Sequence, residues 1–293
     1  MPYSWFDRNI KWIYTLPAVL FVVVMMVFPI LYTVRISFFE WSMSAASPPV
    51  WVGLKNYQEL FADSRFWNAV LRTFYFTFAA LLLEVVLGVA IAALFFRRFR
   101  GKDAAKTVLM LPMVATPVAM GLVWLLIYEP TIGAANRVLK SLGLQPLSWL
   151  ADKHQVIPSL ILVDVWEWTP LIALIVMAGM TTLPEEPYES AEVDGASAWQ
   201  KFVSITLPLL RPTIIIAAML RLIDVLKTFD IIYATTQGGP GHASETLNIY
   251  GYVLAFSHFK LGMASALLVI FFAVVMAFTV LMIWLRNRLG ESS

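Results

Sequence analysis

Long apolar runs separated by short polar segments dominate the hydrophobic pattern of this chain. The runs cover residues 13–34, 69–96, 107–128, 156–180, 213–235 and 263–285. A helix needs about 20 apolar residues to cross the hydrocarbon layer of a membrane, and it satisfies its own backbone amides where water is absent. The pattern therefore predicts an all-α membrane protein with six transmembrane helices. Pro112 and Pro117 fall inside the third run, where we expect kinks that neighbouring helices tolerate.

The composition agrees with a membrane location. Hydrophobic residues make up 60% of the chain and charged residues only 14%, whereas soluble domains carry about 25% charged residues. There is no cysteine, so disulfides, thiolate nucleophiles and Cys-ligated metals are excluded. The three histidines are scattered outside the apolar runs, and we interpret them as loop or interface residues rather than metal ligands. A net charge of +2 does not favour nucleic-acid binding.

The distribution of Lys and Arg predicts the orientation of the helices. Basic residues on the cytoplasmic side of a membrane protein outnumber those outside. The segments on one side of the predicted bundle carry 11 basic residues and those on the other carry 7. The connector between the second and third runs holds Arg97, Arg98, Arg100, Lys102 and Lys106. We therefore expect this connector and both termini to be cytoplasmic.

The connector between the fourth and fifth runs has a pattern of its own. Prolines and glutamates at residues 184–189 favour the start of a helix, because proline is tolerated in the first turn and acidic groups suit the positive end of the helix dipole. Gly195 allows a turn without a Cβ penalty. An aromatic patch that begins at Trp199 follows, and Pro208 and Pro212 mark the start of the next run. The prediction is a helix, a turn and a second helix; an amphipathic connector lying on the bilayer is the alternative.

This connector resembles a loop of ABC-importer permeases, written E-A-A, then G, then I-x-L-P. The matching positions are Glu189, Ala191, Gly195, Ile205, Leu207 and Pro208. Ser190 stands where that family usually has alanine. In the family this loop binds the ATPase, so the resemblance implies that the chain couples transport to an ATPase. The implied coupling residues are Glu189, Ala191, Asp194, Gly195 and Ala196.

Motifs outside the connector extend the resemblance over nearly all of residues 12–285. Residues 53–57 read G-L-K-N-Y and residues 236–240 read T-Q-G-G-P, and both are similar to segments of carbohydrate permeases. The chain is identified as a member of the maltose-type carbohydrate uptake permeases, as the T-x-G-G-P-bearing partner of a permease pair. This implies a type I ABC-importer permease fold in a bacterial or archaeal cytoplasmic membrane. The parts would be an N-terminal segment (1–68), a core (69–285) with its coupling helix near 184–200, and a tail (286–293).

The resemblance also implies partners. They are a second homologous permease in a heterodimer, two ATPase subunits, an extracytoplasmic solute-binding protein and membrane lipid. The chain has no G-x-x-x-x-G-K-[ST] motif. ATP and Mg²⁺ would therefore be bound by the ATPase subunits, and we expect no cofactor, metal or catalytic residue in this chain.

Several charged residues lie within the apolar runs. Each costs about 3 kcal/mol at the bilayer centre, so such residues face a bundle interior or a cavity. In the resembled family the fourth and fifth spans line the solute site, and the candidate path residues are Glu167, Trp168, Leu171, Arg221, Asp224 and Thr228. Helical spacing predicts that Arg221, Asp224 and Thr228 share one face and that Lys227 pairs with Asp230. The alternative is internal ion pairing, above all for Glu84.

Two other functions remain open on the sequence. Arg221 and Lys227 together suit a phosphorylated solute such as glycerol phosphate. The acidic residues also leave an ion-coupled secondary transporter conceivable, although no internal repeat is visible. A membrane enzyme would need a cluster of catalytic residues that the sequence lacks. An ATPase, a second permease and a binding protein that copurify or are encoded nearby would distinguish the importer from these alternatives.

We predict that both termini and residues 97–106 are cytoplasmic, because the basic residues concentrate on that side. Reporter fusions at the two termini and within residues 99–101, together with protease protection, measure this directly. An extracytoplasmic location of residues 97–106 would contradict the orientation and the coupling assignment together.

Overall fold

The computed structural model describes residues 5–43, 48–97 and 99–290, with side chains described between residues 9 and 288 of these ranges. Parts of the predictions above fall outside the described residues, namely 1–4, 44–47, Arg98 and 291–293. By contacts the chain divides into two compact units, residues 1–64 with 251–273 and residues 65–250 with 274–293.

The first unit combines a long apolar helix with a small hairpin and a short, more polar helix. Its elements are α1 (Trp5–Ile36), β1 (Phe39–Glu40), β2 (Val50–Trp51) and α2 (Lys55–Ala62). The two strands are antiparallel and pair Phe39 with Trp51. The buried Asn56 amide donates to the carbonyls of Ser37, at 2.8 Å, and Phe39, at 2.9 Å. This amide therefore fixes α2 against the hairpin.

The second unit contains most of the helices. They are α3 (Ser64–Phe96, whose first residue belongs to the first unit), α4 (Lys102–Val114), α5 (Pro117–Ile127), α6 (Ala134–Ser141), α7 (Val156–Met180), α8 (Glu186–Val193), α9 (Ala198–Lys201), α10 (Leu207–Leu226) and α11 (Asp230–Thr235). Two more helices have residues in both units, α12 (Leu247–Tyr252) and α13 (Leu261–Gly290). Five stretches in the described residues are long and apolar enough to cross a membrane, and α4 with α5 would make a sixth. This confirms the predicted all-α membrane fold.

The third and fifth predicted spans are not single straight helices. Between α4 and α5 the chain bends by 100° at residues 115–116. Thr116 is extended there, with ψ of 142°, because a residue before proline is disfavoured in the α region, and Pro117 opens α5. The prediction of kinks within one continuous helix was therefore wrong for this span.

The fifth span begins earlier than predicted and is broken near its end. One apolar helix runs from Ala198 to Leu226, with a π-helical turn at Phe202–Thr206, so that the expected start at residue 213 was wrong. Pro208 stands inside this helix, two residues after the π-helical turn, and it removes one backbone hydrogen bond of the helix there. The helix then ends at Leu226, and α11 begins only at Asp230.

A buried ion cluster joins α3, α7 and α10. The Arg221 guanidinium donates from Nε and Nη2 to the two carboxylate oxygens of Glu84, at 2.8 and 2.9 Å. Nη2 also donates to Oδ2 of Asp164 at 2.6 Å. All three side chains are buried, with Arg221 only 2% exposed. Glu84 therefore takes part in internal ion pairing, which was the alternative given for it in the sequence analysis.

Close packing also holds the same three helices together, on the C-terminal side of Glu84 in α3 and of Asp164 in α7. A Cβ added to Gly88 on α3 would lie 2.7 Å from Ile172 on α7, and one added to Gly179 on α7 would lie 2.8 Å from Thr213 on α10. Small residues matter here because the hydrophobic effect does not drive helices together in lipid. Close van der Waals packing, which small residues allow, therefore contributes to helix association. The apolar core around these contacts consists of Val89, Ala92, Ile172, Val176, Met180, Leu210 and Ala217.

We predict that Glu84→Leu destabilises the protein by about 3–5 kcal/mol, because Arg221 loses two of its hydrogen bonds and stays buried. Thermal unfolding of the assembled complex and its yield per membrane measure this. The matched control is Glu59→Leu, whose exposed pair with Lys55 spans 3.8 Å and contributes at most about 1 kcal/mol.

The triple variant Glu84→Leu, Asp164→Leu, Arg221→Met should recover stability, because it removes all three buried charges together. Equal stability of the Glu84 and Glu59 variants would show that the cluster does not hold the helices.

Candidate functional site

The connector after α7 folds as two short helices around a glycine turn. Gly195 has φ of +74°, in the left-handed region that glycine adopts without strain. Its N–H donates to the carbonyl of Glu192, and the N–H of Ala196 donates to that of Ala191 at 2.8 Å, which closes the C-terminal end of α8. Ser197 then caps α9 through a reciprocal capping box with Gln200. The predicted helix, turn and helix are all present.

Two side-chain contacts hold the parts of this connector together. Lys201 hydrogen-bonds Glu192 at 2.7 Å across the turn, and this bond lowers the pKa of the Glu192 carboxyl. The hydroxyls of Tyr188 and Thr206, 2.9 Å apart, tie α8 to the π-helical turn before α10.

Apolar side chains stand exposed on the same connector. Val193 is 90% exposed and Trp199 is 72% exposed. Of the five sequence-predicted coupling residues, Glu189, Asp194 and Gly195 are exposed, while Ala191 and Ala196 are half-buried. Acidic, small and apolar groups presented together on a rigid helical turn suit contact with a protein surface.

The predicted path residues on α7 lie beside the ion cluster. The Trp168 ring covers the Arg221 guanidinium, with Cζ 4.9 Å from the ring centroid. Glu167 is fully buried, and neither of its carboxylate oxygens has a hydrogen-bond partner in the described residues. Leu171 follows one turn later and is half-buried. The structure therefore brings Glu167, Trp168 and Arg221 together and leaves a buried acceptor unsatisfied among them.

The predicted path residues near the end of α10 are arranged differently from the expectation. Because the helix ends at Leu226, Thr228 lies outside it and does not share a helical face with Arg221 and Asp224. Thr228 is half-buried, and Asp224 is exposed. Lys227 approaches Asp224 at 3.8 Å, so the predicted pair of Lys227 with Asp230 was also wrong. The physical reason for both is the change of backbone direction at Lys227, where ψ is 4°.

Sequence reasoning missed a second buried ion pair, which follows the T-Q-G-G-P segment. Arg65 binds both carboxylate oxygens of Glu245 at 2.7 Å, and Glu245 is buried. The N–H of Leu247 donates to the Thr73 hydroxyl at 2.9 Å. Both bonds join α3 to this segment. Glu245 stands five residues after the T-Q-G-G-P segment, but its partner stands 180 residues earlier, and no local pattern connects the two.

Comparison with known proteins places the chain in a family. Residues 84–291 match the family described as "Binding-protein-dependent transport system inner membrane component". The chain is 36% identical to the probable ABC transporter permease protein y4oQ of Sinorhizobium fredii, over 92% of this chain and 88% of the relative. It is 33% identical to the trehalose/maltose transport system permease protein MalF of Thermococcus litoralis, over 94% and 92%.

A third relative agrees with this assignment, and a solved structure shares the fold. The chain is 32% identical to the sulfoquinovosyl glycerol transport system permease protein SmoG of Agrobacterium fabrum, over 93% of this chain and 89% of the relative. Its fold matches a chain in the crystal structure of a bacterial ABC transporter involved in the import of the acidic polysaccharide alginate, with a TM-score of 0.84, 21% identity and 97% of each chain covered. The chain belongs to the binding-protein-dependent transport system inner membrane components and is a maltose-type permease subunit of an ABC importer.

Proposed function

We propose that this permease forms part of the translocation path for a sugar or polyol, and that Glu167 and Trp168 contact the solute. The observation that carries the proposal is the buried carboxylate of Glu167, which has no hydrogen-bond partner in the described residues and stands on the same helix as Trp168. A buried polar group without a partner costs about 1–3 kcal/mol, or more if it is charged. A solute hydroxyl would donate to this carboxylate and remove that cost, and Trp168 offers an aromatic face to the apolar side of a sugar ring.

The charges around the path favour a neutral solute over a phosphorylated one. Arg221 is compensated by the carboxylates of Glu84 and Asp164, and Glu167 adds a third carboxyl. Lys227 is exposed and has Asp224 as its neighbour. Glycerol phosphate would need an uncommitted cation, so the geometry gives this alternative less support. The relatives named for trehalose and maltose transport support a carbohydrate.

The assembly that we propose follows the family. A solute-binding protein would deliver the solute outside the cytoplasmic membrane, in agreement with the alginate transporter, which has been solved with a pentasaccharide-bound periplasmic protein. A second, homologous permease would complete the path. Two ATPase subunits would hold ATP and Mg²⁺ in the cytoplasm, on the same side as both termini of this chain. Asp224, in the last turn of α10, and Thr228, beyond its end, would contribute to the path.

We propose that the ATPase binds the glycine turn of the connector, through the five coupling residues and the exposed Val193. A movement of α8 would be transmitted to α10 through two connections. They are the Tyr188–Thr206 hydrogen bond and the continuous helix from Ala198 to Leu226. Arg221 then carries the movement to α7, where Glu167 lies. Movement of the connector and movement of the solute path would therefore be coupled.

For the coupling turn, we predict that Gly195→Trp lowers transport by about ten-fold or more while the chain still inserts into the membrane. This corresponds to a loss of about 1.4 kcal/mol from the contact between the connector and the ATPase. Uptake per inserted permease measures this. Gly143→Trp is the matched control: its φ of +73° is nearly identical, and a Cβ at either glycine meets no atom within 4 Å.

Both variants carry the same backbone strain, so a difference between them reports on the partner surface. Normal uptake by an inserted Gly195→Trp protein would rule out the coupling assignment.

For the solute path, we predict that Glu167→Leu lowers transport per assembled complex by about ten-fold or more, because a hydrogen bond to a charged group contributes about 1.5–3 kcal/mol. Assembly should not decrease, since Glu167 accepts no hydrogen bond from the described residues. Asp224→Ala and Thr228→Ala should also affect transport more than assembly. Trehalose and maltose uptake by the reconstituted importer with its binding protein, divided by the amount of complex, is the measurement.

The matched control is Thr169→Val on the same helix, where another buried side-chain oxygen without a partner is removed. It should transport as the unmodified protein does. If the Glu167 variant assembles poorly but transports normally per complex, Glu167 is a packing residue and the solute site lies elsewhere.

A further inference from the structure

We propose that the permease binds one anionic phospholipid in an apolar groove between α3 and the segment that joins α8 to α10. The groove has a volume of about 980 Å³. Its walls include Val86, Ala90 and Ala93 from α3, and Trp199, Phe202 and Leu207 from the opposite side. We call it the α3–α10 groove. It is separate from Glu167 and Trp168, so the inference goes beyond the proposed solute path.

The length of the groove suits an acyl chain. Its α3 wall runs from Val85 to Phe96, which is about 16 Å at a rise of 1.5 Å per residue. The hydrocarbon core of a bilayer is about 30 Å thick, so the groove spans about one leaflet. A transmembrane helix of a partner protein crosses both leaflets and would need a trough that continues past Val85. The single-leaflet length therefore favours a lipid over such a helix.

The charge at one end of the groove suits a phosphate headgroup. Arg97 lines the groove beyond Phe96 and has no ion pair or side-chain hydrogen bond with the described residues. Lys201 lines the same region but already binds Glu192 at 2.7 Å. Arginine binds phosphate oxygens through a planar fork of donors. Under the proposed orientation Arg97 faces the cytoplasmic leaflet, whose anionic lipids attract basic residues near the surface.

The remaining polar groups of the groove do not compete for a ligand. The hydroxyls of Tyr188 and Thr206 line it but hydrogen-bond each other at 2.9 Å. The occupant is therefore an amphiphile, with an apolar tail against the walls and an anionic head at Arg97.

This position links the lipid to energy coupling. Trp199 and Phe202 belong to the stretch that directly follows the coupling turn, and α3 forms the opposite wall. A bound acyl chain would support that stretch against α3 while the ATPase pushes on it. Loss of the lipid should then lower the amount of solute moved per ATP hydrolysed.

The experiment uses the assembled importer, purified in detergent and stripped of lipid. Phosphatidylglycerol and phosphatidylcholine with identical acyl chains are added separately, and bound lipid is counted by native mass spectrometry. We expect one tightly held phosphatidylglycerol per copy of this chain. Arg97→Gln should weaken its retention by about five-fold, as expected for one basic contact near a headgroup. Ala90→Phe, at an exposed position in the groove wall, should weaken the retention of both lipids.

The matched control is Arg100→Gln, which removes a basic residue of the same connector that does not line the groove. It should retain phosphatidylglycerol normally. Equal losses in the Arg97 and Arg100 variants would show general attraction by basic residues and overturn the site. Equal retention of the two lipids by the unmodified importer would also overturn it. Loss of the second permease from the Ala90→Phe complex would show that a partner helix occupies the groove.

Discussion

The guanidinium of Arg221 sets the arrangement of the three helices on which the rest of the second unit depends. It is held by Glu84 on α3 and Asp164 on α7, and its burial in an apolar bundle makes any other arrangement expensive. Replacing a buried ion pair with apolar residues often leaves stability unchanged, so its main contribution need not be stability. In this chain the cluster joins α3, α7 and α10, and close packing at Gly88 and Gly179 completes the contact.

In the mechanism that we propose, the same cluster links the turn of the connector to the solute path. The helix from Ala198 to Leu226 extends from the connector to the cluster, and Trp168 covers the guanidinium at its far end. The π-helical turn at Phe202–Thr206 widens this helix next to the groove that we assign to a lipid. Such turns are frequent at functional sites because they interrupt the regular hydrogen-bond ladder. Movement of the connector would therefore reach α10 and α7 together.

Much of this architecture could be predicted from local sequence. Apolar length predicted the membrane helices, and Gly195 predicted the turn of the connector, because both depend on neighbouring residues. The break before Pro117 was also encoded locally, although we expected only a kink. The break at residues 227–229 was not predictable in this way, because no glycine or proline marks it. The partners of Arg221 come from two distant parts of the chain, so charge within the apolar runs indicated a cluster without identifying its pairs.

In the mechanism that we propose, α7 and α10 move as one body during transport, because Arg221 on α10 binds Asp164 on α7. The chain contains no cysteine, so two introduced cysteines can carry spin labels while no other position of this chain is labelled. Leu162 on α7 and Leu220 on α10 are exposed and suit this purpose. The measurement is the distance distribution between these labels in the assembled importer, with and without ATP. We expect one population of distances that is the same with and without ATP, and a second population that appears with ATP would show that the two helices move apart.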